Sequence, residues 1–255
     1  MFLQLRRRLS HGSSEPHGGY AFASIRLISS ANGVQSNKPV ELLLMPAWFI
    51  NSGTLYRQAK EAALQASLVG PKAQSQAQIA VVFAFIALEA FINEVTDFAN
   101  ETPTDSSLSA LGSLMRDLND ARASISERFQ LAKWILSKEP FDKSQQPYQD
   151  FLLLAKLRNT IIHLPPDRTS SDPSEPRIDS LKFLETLRQK GLVRDSRDAV
   201  ASFLAEISTP EMARWACDTT AAMVRSIVEV LPALADVHDV PQVPIRFLFA
   251  KEFGL

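Results

Sequence analysis

The sequence predicts an all-α protein with irregular or short β-strand extensions at its N- and C-terminal ends. Three observations carry that prediction. Apolar residues recur at helical spacing through most of residues 54–231. Gly-Pro, Pro-Pro and Ser/Thr/Asp clusters punctuate those runs as helix stops and starts. Only the two ends of the chain read as extended.

The first fifty residues carry no helical pattern. GYAFASIRLIS (19–29) and VELLLMPAWFI (40–50) each suit a short strand, with SANGVQSNKP (30–39) as the turn between them. Residues 1–53 are therefore assigned to an N-terminal extension, read as a short hairpin. From TLYRQAKEAALQASLVG (54–70) the signal is helical, and Gly70-Pro71 ends the run. A long apolar helix follows over 73–99, and NETPTDSS breaks the chain after it. Two further helices are expected over 107–122 and 124–138, ended by KEPFDKSQQP. The next spans roughly 148–163, because a residue before proline disfavours the α conformation and Leu164-Pro165-Pro166 must stop it. A polar loop with four prolines (164–178) leads to amphipathic helices over 180–191 and 195–207. The last long helix opens at STPEMARWA, with Ser208 or Thr209 as cap and Pro210 in the first turn, and runs to about Leu231. These helices form one domain, residues 54–235. Residues 236–255 make a C-terminal extension in which VPIRFLFA (243–250) looks extended, so a small sheet pairing the chain's two ends is one expectation.

Composition narrows the functional classes. With 45% hydrophobic and 22% charged residues, the 255-residue chain has the make-up of an ordinary globular protein. Its net charge of -1 gives no global field toward nucleic acid or membrane, so any RNA contact must be local. A single cysteine, Cys217, excludes an intrachain disulfide and a Cys-based zinc site, and it reads as a small core residue. His11, His17, His163 and His238 form no pair at metal-ligand spacing, which argues against a metal site built on histidine; carboxylate-only sites stay open, and no cofactor is expected. The apolar run at 79–92 is interrupted by Glu89 and is short for a membrane span, so it reads as a core helix. Residues 1–38 hold one acid, Glu15, against five Lys/Arg, a balance similar to that of a transit peptide. A poorly ordered tail or an over-called start site is the preferred account over targeting, and the expected location is cytoplasmic. Phosphate-binding, dinucleotide-binding and nucleophile-elbow signatures are absent. Phe83, Phe85 and Phe91 stand at helical spacing as core, and Trp134 and Trp215 are expected to pack likewise.

One helix breaks its own pattern. Around residues 148–163, at about 100° per residue, Leu153, Leu157, Ile161, Leu154, Phe151, Ile162 and Ala155 fill one arc. Arg158 falls inside it, while Asn159 and His163 lie just outside, one turn apart. An arginine on an apolar arc needs carboxylate or phosphate company, or a route along the surface for its stem. The long apolar helix offers a partner, for Glu89 and Asn93 sit at i and i+4 beside Val82, Phe85 and Ile86. An Arg158–Glu89 contact explains both departures. It serves a structural role, and it also holds an arginine ready for chemistry.

Together, ALEAFINE (87–94) and LRNTIIH (157–163) resemble the HEPN superfamily of helical bundles, whose signature is R-x(4–6)-H with a polar residue after the arginine. Arg158 and His163 enclose four residues here, and Asn159 supplies the polar one. The likeness covers about residues 54–235. It implies a metal-independent endoribonuclease acting as a homodimer through the motif helices, with RNA as substrate, no membrane, and a toxin or phage-defence role under an antitoxin or regulatory protein. Arg158 and His163 point about 140° apart on one helix, so a symmetric cleft supplies both more easily than one chain does. Histidine suits acid–base work on the 2′-OH and 5′-oxygen, arginine suits the charge on phosphorus-bound oxygens, and Asn159 is placed to orient either. Glu89 and Asn93 are the supporting residues, and Arg168 and Arg177 in the proline-rich loop are candidates for RNA backbone contact. Some toxins of this family carry a tyrosine two places after the histidine as a modification target. Pro165 stands there in this chain, so that control is not expected. The alternative is a HEPN-fold module that binds nucleotide or RNA without cutting, or a helical dimerisation module in which Arg158 is purely structural.

Overall fold

A computed structural model describes residues 50–68, 73–100, 107–164, 181–194, 202–231 and 245–255. Among them the chain forms α1 (Asn51–Ala66), α2 (Ala73–Asn100), α3 (Ser107–Asp120), α4 (Ile125–Ser137), α5 (Tyr148–Ile162), α6 (Leu181–Gln189), α7 (Phe203–Ile207), α8 (Pro210–Val228) and α9 (Ile245–Phe253), with no strand. The expected hairpin over the first fifty residues lies outside the described residues, apart from its last, Ile50.

The most apolar helix, α2, stands at the centre, and α1, α3, α4, α5, α7 and α8 all pack on it. At 28 residues, α2 is long and apolar enough to cross a membrane, so its length alone does not mark it as a core helix. Its burial does: 56% of its most apolar window is covered by the other helices. Phe85, Leu88, Phe91 and Ile92 of α2 meet Phe129 of α4, Phe151 and Leu154 of α5, and Val224 and Ile227 of α8 in one continuous core.

Local side chains cap the starts of α4, α7 and α8. Ser124 and Glu127 form a reciprocal capping box on α4, with the Ser124 N–H donating to Glu127 Oε2 at 2.7 Å and the Glu127 N–H to Ser124 Oγ at 3.3 Å. Thr209 caps α8 by accepting from the Met212 N–H at 3.0 Å, with Pro210 in the first turn. The start of α1 is different. Its N-cap residue, Ile50, offers no side-chain acceptor, and Glu94 of α2 takes that role. Its Oε1 accepts from the Asn51 and Ser52 N–H groups at 2.6 and 3.0 Å, and its Oε2 from the Ser52 hydroxyl at 2.5 Å. Burial pushes the Glu94 carboxyl above its ordinary range against the opposing pull of those hydrogen bonds. Glu94→Ala leaves these donors without their acceptor, including the fully buried Ser52 hydroxyl. The expected loss is about 1–3 kcal/mol of unfolding free energy, read by urea denaturation.

Helix α3 lies close to the end of α2 because Gly112 has no side chain. A Cβ there would stand 2.7 Å from the Asn100 nitrogen and 2.8 Å from the Ala99 carbonyl carbon, backbone atoms that cannot rotate away. Gly112→Ala therefore forces the two helices apart, with an expected loss of about 1–3 kcal/mol in the same assay.

Two expectations need correction. Residues 243–250 were expected to be extended, but 245–253 form α9. Their I-R-F-L-F alternation is too short to separate strand from helix. The deciding contacts come from Phe249 and Phe253, spaced by four, which pack edge-on to Phe91 with ring centroids 4.8 and 6.1 Å away. Phe253 also stacks on Tyr56 of α1 at 4.7 Å. The second correction is Trp134, which is 52% exposed instead of packed in the core. Cys217, by contrast, is a buried core residue as expected. Burial pushes its thiol up to about 12, which removes it as a nucleophile near neutral pH.

Candidate functional site

The site is built on one stripe of α2. Phe85, Glu89, Asn93 and Asp97 follow at steps of four residues, each step turning about 40° beyond a full turn. The stripe therefore winds from the core, where Phe85 is buried, to the surface, where Asn93 and Asp97 are exposed. Two arginines from other helices lie against it.

Arg158 of α5 is the first. Its Nη2 pairs with Glu89 Oε2 at 3.3 Å, its Nη1 donates to Asn159 Oδ1 at 3.0 Å, and its guanidinium lies 5.1 Å from the centre of the Phe85 ring. The side chain is 23% exposed. The guanidinium is thus fixed on one edge by a carboxylate, on the other by an amide, and on its face by an aromatic ring. It remains within reach of solvent. The contact expected between Arg158 and Glu89 is present.

Arg128 of α4 is the second, and the sequence reading missed it. It is 9% exposed, and its Nη2 donates to Asn93 Oδ1 at 2.6 Å. Burial lowers its pKa, while the carboxylates of Glu89 and Asp97 oppose that shift. Asn93 therefore supports Arg128 and has no direct bond to Arg158. The signal was present in the sequence, for Arg128 shares a face with Ile125, Ala132 and Ile135, the same anomaly that marks Arg158.

His163 is not among the bonded partners of either arginine. It is the C-cap of α5, where its backbone N–H donates to the Asn159 carbonyl at 3.0 Å and its side chain is exposed. Among the described residues its ring has no hydrogen-bond or ion-pair partner, so one chain does not assemble an Arg158–His163 pair. Ile162, the residue before it, is 48% exposed. Arg168 and Arg177 lie outside the described residues.

Chemically, two guanidinium groups lie against the stripe, Arg158 partly exposed and Arg128 buried, and the turn after α5 carries an exposed imidazole. The first suits an oxyanion, the second acid–base work. Compared with family models, curated proteins and solved structures, the chain gives no match.

Proposed function

We propose that the protein is a metal-independent endoribonuclease of the HEPN type, working in the cytoplasm as a homodimer and suited to a toxin or phage-defence role. The observation that carries this reading is the three-sided clamp on Arg158, five residues before an exposed His163 at the end of the same helix. In the dimer, α5 meets its symmetric copy so that the exposed Ile162 is covered and both histidines face one cleft.

The reaction follows from these residue types. His163 takes the proton from a ribose 2′-OH, and the 2′-oxygen forms a bond to the adjacent phosphorus. The bond from phosphorus to the 5′-oxygen breaks, and the partner's His163 gives that oxygen a proton. Arg158, its position set by Glu89 and Asn159, stabilises the negative charge that builds on the phosphorus-bound oxygens. The products are a 2′,3′-cyclic phosphate and a 5′-hydroxyl.

A second reading has its own support. Glu89 already satisfies one edge of Arg158, and no partner among the described residues sets the tautomer of His163, as suits a module that binds RNA without cutting it. Incubating purified protein with a mixed RNA pool in EDTA separates the two. Cyclic-phosphate ends support the nuclease, and intact RNA that co-elutes with the protein supports the binding module.

A further inference from the structure

We infer that Arg128 is a second phosphate-binding side chain of this site, so that Arg128 and Arg158 take neighbouring phosphates of one RNA strand along the α2 stripe. The inference rests on the reading of Arg158 as a phosphate-binding arginine. Its support is a difference between the two anchors. Arg158 is held by a carboxylate, Glu89, whereas Arg128 is held at contact distance by a neutral amide oxygen of Asn93. Glu89 and Asp97 influence Arg128 only from further away. A buried arginine in a structural role ordinarily takes a carboxylate in a two-pronged pair. Here the guanidinium is fixed in place with no anion in contact among the described residues.

The donor count agrees. A guanidinium carries five N–H donors, yet the two arginines make three side-chain hydrogen bonds between them. Both Nε atoms are buried without an acceptor, so the donors left for a ligand are those on the Nη atoms. Glu89 and Asn93 are one helical turn apart, about 6 Å along the axis, so two adjacent guanidinium groups follow the line of the helix. The Arg128 end of the stripe reaches solvent through the exposed Asn93 and Asp97.

The test is binding of a single-stranded 2′-O-methyl oligonucleotide, which lacks the nucleophile, to full-length protein across a KCl series. Arg128→Met is expected to fold, since an apolar side chain of similar length replaces a buried charge and leaves Asn93 in water. Circular dichroism and thermal melting check this. Its affinity should fall about tenfold, and the slope of log K against log salt by about 0.7, the value for one lost phosphate contact on a single strand. Arg128→Lys should keep the slope. A folded Arg128→Met with unchanged affinity and slope overturns the inference and leaves Arg128 as a packing residue. If the wild type binds no RNA, the proposed function fails and pyrophosphate decides the inference. A melting temperature raised by pyrophosphate over chloride of equal ionic strength, in wild type but not in Arg128→Met, supports it. No rise in the wild type overturns it.

Discussion

If the protein is the proposed ribonuclease, replacing His163 by alanine is expected to lower metal-free RNA cleavage at least about a hundredfold, the usual size of a lost general acid or base, and to leave the melting temperature unchanged. The two halves of this expectation come from the same geometry. The imidazole is exposed at the end of α5, and no hydrogen bond or ion pair to another described residue depends on it. The N–H that closes the last turn belongs to the backbone and survives the substitution. Cleavage in EDTA, resolved on a denaturing gel beside thermal melts of both proteins, checks the prediction. Wild-type cleavage by a folded His163→Ala sinks the two-histidine mechanism. Arg158→Ala is a less clean probe, because it leaves Glu89 without its ion-pair partner and Phe85 without its cover.

Phe91→Ala lowers the unfolding free energy by about 3–5 kcal/mol, the cost of emptying a large aromatic site in a packed core. The ring is fully buried and joins three helices. It stacks on Phe129 of α4 at 6.2 Å and takes the edges of Phe249 and Phe253 of α9 at 4.8 and 6.1 Å. Urea denaturation measures the loss. Hydrogen exchange at the α9 amides should rise further than at α3, since α9 contributes two of those three rings. A loss below about 1 kcal/mol would mean that α9 draws little of its docking from this cluster.

Much of the helical plan was legible from residue order, because helix starts and stops are local chemistry. Ser124 with Glu127, Thr209 with Pro210, and Pro165 after Leu164 each act within a few residues of the boundary they set. The first turn of α1 was read three residues late for the opposite reason. Its acceptor, Glu94, comes from another helix, and no nearby residue marks the start. Helix α9 was misread because five residues of alternation suit either period. Only the distance of Phe249 and Phe253 from Phe91 separates them.

The candidate site divides along the same line. Periodicity alone marked Arg158 and Glu89 as misplaced on apolar faces, and pairing them needed only the cost of burying a charge. The same periodicity held Arg128, but its significance depends on Asn93, 35 residues away, being its hydrogen-bond partner. Residue order therefore determined which helices form, where most of them end, and which charged residues conflict with their surroundings. The tertiary structure decided the rest: which helix caps α1, how closely Gly112 lets α3 approach α2, and which arginine meets a carboxylate and which an amide. Those outcomes depend on side chains brought together across tens of residues by the burial of α2, and such distances are set only when the core is packed.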